Sequence, residues 1–157
     1  MVIENCASGG HRLEPGFMAA TSMASFSDAH ECPEIPIIAA NLHRAIDKGV
    51  ALMKPGNQGW QPDRAARDGL IEQGYPEFKY SFGHQVGRAA HDGGVSMARR
   101  KPGGASEGIL EEGLVLTVDA NLYLDRGRIG QEDVAYLTKD GAEFISERQD
   151  AIWICGA

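Results

Sequence analysis

"FGHQVGRAAHDGG", Phe82 to Gly94, sets two histidines seven residues apart among four glycines. With so little side chain between them, His84 and His91 belong either to a turn or to a site. If they form a site, further donors must come from elsewhere in the chain. Two places qualify. Asp119 ends the apolar run "LVLTVD", where an unpaired charge is costly once buried. Glu132 and Asp133 open the next apolar strand, "EDVAYL". Imidazole nitrogens and carboxylate oxygens are donors for divalent metals, and a site collects them from separate strands. Strand ends also carry acids for ordinary reasons, so on spacing alone both readings stay open.

Composition narrows the function classes. A chain of 157 residues with 43% hydrophobic and 24% charged residues fits one domain with a single core. A net charge of −7 argues against a general nucleic-acid binder, which needs a basic face to displace counterions. No apolar run is long enough to span a bilayer, and "MVIENCASGGHR" lacks the basic start and apolar core of a secretory signal. Three scattered cysteines, Cys6, Cys32 and Cys155, without a CxxC pair, suggest a reduced, cytoplasmic setting.

Outward from the histidines, the chain reads as alternating punctuation and periodic runs. Phe17 to Met23 reads as a buried strand, with Ser25 to His30 as its continuation or return. Ile38, Leu42, Ile46, Val50 and Met53 recur at helical spacing, predicting a helix over 37–53 that Pro55-Gly56 stops. A second helix is predicted over 62–73, with proline in its first turn, Gly74 at its exit and a thin stripe of Ala66, Leu70 and Ile71. "RRK", Arg99 to Lys101, reads as a solvated loop, and Trp60 and Trp153 as packing residues. Leu114 to Val118 reads as a central strand. "QEDVAYLTKDGAEFIS" reads as a hairpin turning at Asp140-Gly141, and "AIWICGA" as a last strand. Together these predict an α+β unit with two helices against a mostly antiparallel sheet.

The order of "GHQVGRAAHD", "LEEGLVLTVDANLY" and "GQEDVAYLTKDGAEFIS" resembles the C-terminal half of the pita-bread metallopeptidases. That family includes Xaa-Pro aminopeptidases and dipeptidases, methionine aminopeptidases and creatinases. Its signature is Gly-His-x-x-Gly with a second histidine seven residues on, a strand ending Glu-Pro-Gly-x-Tyr, and a Glu-Asp pair opening a Val-x-Val-Thr-x-Asp-Gly hairpin. "HRAIDKGVALMKPGNQGWQPDRAARDGLIEQGYPEF" resembles the family's two helices before the histidine, and the likeness runs from about Leu13 to Ser146.

The resemblance implies a curved, mostly antiparallel pita-bread sheet, here as one domain without the family's leading helices or separate N-terminal domain. It implies that His84 is a metal-binding histidine and that His91 contacts substrate and steadies the tetrahedral intermediate. Asp119 falls where the family has a ligand glutamate, and Glu132 matches the last ligand glutamate. Asp119 is shorter than glutamate by about 1.5 Å, one carbon–carbon bond. "DANLY" replaces the Glu-Pro-Gly turn, and Gly130 stands where many members carry arginine. "LEPGFMAATSMAS" lies over the strand bearing the first ligand aspartate, a position held here by Ser22. "FSD" offers Asp28 as a further ligand if its hairpin is short, or as an Asp-initiated turn.

Two functions follow as expectations. One is a metal-dependent aminopeptidase or Xaa-Pro dipeptidase-type hydrolase acting on a peptide or small amide, with one divalent ion (Mn, Co, Fe or Zn) at most held tightly. The other is a catalytically inactive member that keeps the fold for binding or assembly. The uncharged "FMAATSM" strand adds the expectation of a two-fold dimer.

Overall fold

Residues 35–125 and 127–148 are described here from a computed structural model of the chain. The expectations on Phe17–Met23, Ser22, Ser25–His30 with Asp28, the three cysteines, Trp153 and the 151–157 strand lie outside these residues.

Helix α1, Ile35–Val50, buries Leu42, Ala45 and Ile46, with Ile38 and Val50 packed against the same core. The predicted stripe is therefore its inner face. The helix ends at Val50, three residues before the predicted end at Met53. Leu52 N donates to Gly49 O at 3.0 Å and Met53 N to Val50 O at 2.9 Å, so the chain tightens to three-residue spacing and carries Met53 into the core by a turn.

Helix α2, Trp60–Glu72, runs against α1 and exits through Gln73 and Gly74, whose φ of 81° suits glycine. Its buried face is not the thin apolar stripe alone. Ala66 and Leu70 are buried, Ile71 is exposed, and Asp63 and Arg67 are buried between them. Arg67 donates to both Asp63 oxygens, at 2.7 and 2.9 Å, and to the carbonyls of Phe78 and Tyr80. Asp63 also accepts from Phe82 N at 3.1 Å. This buried ion pair ties α2 to the segment that delivers the first histidine.

Strands β1 (Gly83–His84) and β2 (Ser96–Met97) pair antiparallel, bracketing the glycine-rich loop. A short 3-10 turn, Ala105–Glu107, follows. Strands β3 (Val115–Leu124), β4 (Gly127–Thr138) and β5 (Gly141–Phe144) form an antiparallel meander. Strand β3 lies between β4 and the β1 segment, which joins it through Asp119 N to Phe82 O at 2.7 Å and Val86 N to Val115 O at 2.9 Å. It is central, as expected, and longer than the apolar run suggested.

The β4–β5 turn falls at Lys139-Asp140, one residue before the predicted Asp140-Gly141. Thr138 pairs with Gly141, and Thr138 Oγ1 donates to Gly141 O at 2.8 Å, which places the glycine in the strand. Trp60 is half-buried at the start of α2, its Nε1 donating to Gln58 Oε1 at 2.8 Å and its ring 5.4 Å from the Arg100 guanidinium. Arg99 and Arg100 are exposed loop residues paired with Glu77 and Glu107 at 2.6 and 2.9 Å.

Period-two alternation gives the meander two faces. Leu116, Val118, Ala120 and Leu122 of β3, with Ile129, Ala135 and Leu137 of β4, form the core face. Thr117, Asp119, Asn121 and Tyr123, opposite Val134, Glu132, Gly130 and Arg128, form the other. The chemistry-bearing residues lie on that second face.

Candidate active site

Asp119 and Glu132 are direct partners in the antiparallel register of β3 and β4. Their side chains therefore leave the sheet on one face, next to each other. Both are largely buried. Burial, then the Glu132 charge, pushes Asp119 up to about 7, against the opposing pull of Arg128 and an Asn121 hydrogen bond. Burial also raises Glu132, opposed by His84, Arg128 and His91. Desolvation outweighs the nearby positive charge at both acids, so each holds a proton more tightly than in water.

His84 comes to this place by backbone geometry. Its N–H donates to Thr117 Oγ1 at 3.0 Å. Gly83 before it has no room for a side chain, since a Cβ would run into the Thr117 carbonyl and stand 2.6 Å from Met97 Cε. Glycine here lets β1 lie flat on β3. His84 Nδ1 is 3.0 Å from Gln85 O, and a carbonyl only accepts, so Nδ1 carries the proton. In the neutral ring this leaves the Nε2 lone pair free, the tautomer common among metal-binding histidines.

His91 returns at the end of the loop and stacks on His84 with ring centroids 4.1 Å apart. Both rings act electrostatically on Glu132. The loop glycines serve its own folding. A Cβ at Gly87 would overlap the Asp92 carboxylate, and one at Gly94 the Gln85 amide.

His84, His91, Asp119 and Glu132 are thus drawn together. Among the described residues, no three His, Cys, Asp or Glu side chains close into a metal cage. Asp28 lies outside the described residues. Asp133 is turned away by alternation: it is buried on the core face, accepting from Gln131 Nε2 at 2.8 Å and lying 3.7 Å from Arg148 Nε.

Two site-face residues escape a reading by motif. Asn121 is buried and donates to Asp119 Oδ1, while Arg128 Nε donates to Asn121 Oδ1 at 2.8 Å. The signal for them is the strand period, two residues from Asp119 on one strand and four from Glu132 on the other.

The donor set suits a divalent ion in kind. It offers two paired carboxylates and an imidazole, donor types common to sites for Mn, Co, Fe and Zn.

A model of metallopeptidase family M24 matches residues 18–139. The chain is 35% identical over 101 residues to the uncharacterized peptidase YqhT of Bacillus subtilis, covering 62% of this chain and 27% of that protein. It is 32% identical over 108 residues to an Xaa-Pro dipeptidase of Pyrococcus horikoshii, covering 67% of this chain and 29% of that one. Among solved structures it is similar to the X-Pro aminopeptidase from Thermotoga maritima, with a TM-score of 0.69 and 27% identity over 78% of this chain and 33% of that chain. Dipeptidase PepE from Mycobacterium ulcerans gives a TM-score of 0.68 at 25% identity, over 77% and 32% of the two chains. With two helices and antiparallel strands, and this likeness over more than three quarters of the chain, the α+β fold is that of the pita-bread peptidases. The chain spans under a third of the length of these curated relatives, 27% and 29%. With the family model covering most of the sequence, the chain belongs to metallopeptidase family M24.

Proposed function

We propose that this chain carries the site of a metal-dependent peptidase of the Xaa-Pro dipeptidase or aminopeptidase kind, holding one divalent ion tightly. His84, Asp119 and Glu132 would be its ligands, with Asp28 a further candidate. The observation that carries the reading is the Asp119–Glu132 pair, buried on one face with two histidines acting on Glu132. Such an arrangement is costly without a cation and favourable with one.

A divalent ion, when bound, supplies Lewis-acid polarisation and nucleophile activation near neutral pH. The chain's own groups do the rest. His84 offers Nε2, held in orientation by its Nδ1 bond to Gln85 O. Burial and the Glu132 charge raise Asp119 to about 7, which suits it to take up a proton near neutral pH, and burial raises Glu132 as well. His91, exposed at the loop end, would donate to the oxygen of a substrate amide. The Xaa-Pro class comes from the relatives' names, not from a specificity pocket on these residues.

A second reading, a binding or assembly module without turnover, is favoured by one feature: Asp119 is shorter than glutamate and one of its oxygens is already engaged by Asn121. Metal content per chain and hydrolysis of an Xaa-Pro dipeptide with Mn separate the two. Turnover lost in Glu132→Gln supports the enzyme; metal uptake without turnover supports the binding module. A single-domain chain, self-association as a two-fold dimer and a reduced, cytoplasmic setting belong to the same proposal. Light scattering across a concentration series reads the dimer.

A further inference from the structure

Asn121 is 3% exposed, yet both ends of its amide are used. Nδ2 donates to Asp119 Oδ1, and Oδ1 accepts from Arg128 Nε at 2.8 Å and from Arg128 Nη2. The amide can face only this way, because the Arg128 guanidinium has no acceptor and must meet the amide oxygen. We propose that Asn121 is a positioning residue for the site: it fixes the Asp119 carboxylate, and Arg128 fixes Asn121. This rests on reading Asp119 as a ligand. Among the hydrogen bonds of the described residues, Asn121 is the one partner of the Asp119 carboxylate, and it takes Oδ1.

Gly130 is the third part of the device. It faces Asn121 directly across the β3–β4 pairing. A Cβ there would overlap Asn121 Oδ1 and stand 3.0 Å from Asn121 Cγ and 3.6 Å from Arg128 Nη2. The φ of Gly130 is not positive, so this glycine provides space rather than an unusual backbone. Arg128 sits two residues before it, on the same face, beside Tyr123 at 5.8 Å from the ring centre. Asn121, Gly130 and Arg128 therefore form one unit: the missing side chain at 130 is what lets the amide and the guanidinium meet.

The unit makes a prediction that a merely structural asparagine does not. Residues that orient metal ligands change metal affinity on the order of 10–100-fold when removed. In Mn titration calorimetry on the full chain, Asn121→Ala and Gly130→Ala should each weaken binding about tenfold. The double variant should bind no more weakly than Asn121→Ala alone, because Gly130→Ala harms only by displacing the amide. Gly130→Ala deletes no hydrogen-bonding group and serves alone if Asn121→Ala does not fold. Binding within twofold of the parent in both variants overturns the proposal, as does an undiminished Gly130→Ala effect in the Asn121→Ala background. NMR of the Asn121 side-chain amide in the metal-free protein is the independent arm. Its resonances should move on Asp119→Ala and on Arg128→Ala, and unmoved resonances overturn the network. If the parent takes up no Mn, the ligand reading of Asp119 falls by itself, and this arm alone decides the network.

Discussion

Asp119 and Glu132 stand opposite each other in the β3–β4 register, with no cationic side chain among the described residues hydrogen-bonded to either, and burial raises both. For an acid whose folded pKa lies above its unfolded value, the folded state binds the extra proton, so stability is gained as pH falls. For Asp119 the stabilisation is complete below its ordinary value of 3.8 and is lost as pH rises through about 7. The metal-free chain should therefore be more stable to urea at pH 5 than at pH 8. Asp119→Asn should flatten that slope and stabilise the chain at pH 8. Equal slopes in parent and variant, with chelator present, would contradict the electrostatic account of the pair.

Gly83→Ala tests how His84 is placed. A methyl group there meets the Thr117 carbonyl, which is strand backbone and cannot swing aside. Overpacking of this kind costs about 1–3 kcal/mol, and a backbone obstacle puts it at the upper end. The expected result is that loss in chemical denaturation, with hydrogen exchange accelerated at Asp119 N and Val86 N, the two amides that join the β1 segment to β3. An unchanged midpoint would mean the two strands are not in close register.

The Asp63–Arg67 pair supports the same segment from the other side. Both side chains are almost fully buried, at 1% and 4% exposure, and Arg67 also holds the carbonyls of Phe78 and Tyr80. Removing one partner of such a pair leaves a buried charge and costs about 3–5 kcal/mol. Arg67→Met should lose about that much in urea unfolding, and Asp63→Asn should lose less, since the amide still accepts from Phe82 N. A loss under about 1 kcal/mol for Arg67→Met would show that water already reaches the pair.

These elements show what a sequence displays and what it hides. The stripe Ile38, Leu42, Ile46 and Val50 is legible because apolar spacing alone defines the inner face of α1. Helix α2 is legible only in part, because its buried face is built on Asp63 and Arg67, and a charge counts as exposed until its partner is known. The β4–β5 turn is displaced by one residue because Asp-Gly is a common turn pair, while the Thr138–Gly141 bonds exist only in three dimensions. His84, Asp119 and Glu132 stand out as polar residues against apolar strands. Asn121 and Arg128 do not, because their meaning depends on the cross-strand register that sets Asn121 over Gly130.

Manganese titration of the full chain, beside His84→Ala and Glu132→Gln, tests the central claim most directly. The account predicts one tight site per chain, weakened at least about tenfold by each substitution, since each removes a ligand and His84 and Glu132 come from different strands. Manganese bound equally well by all three proteins, or not bound by the parent at all, would contradict it.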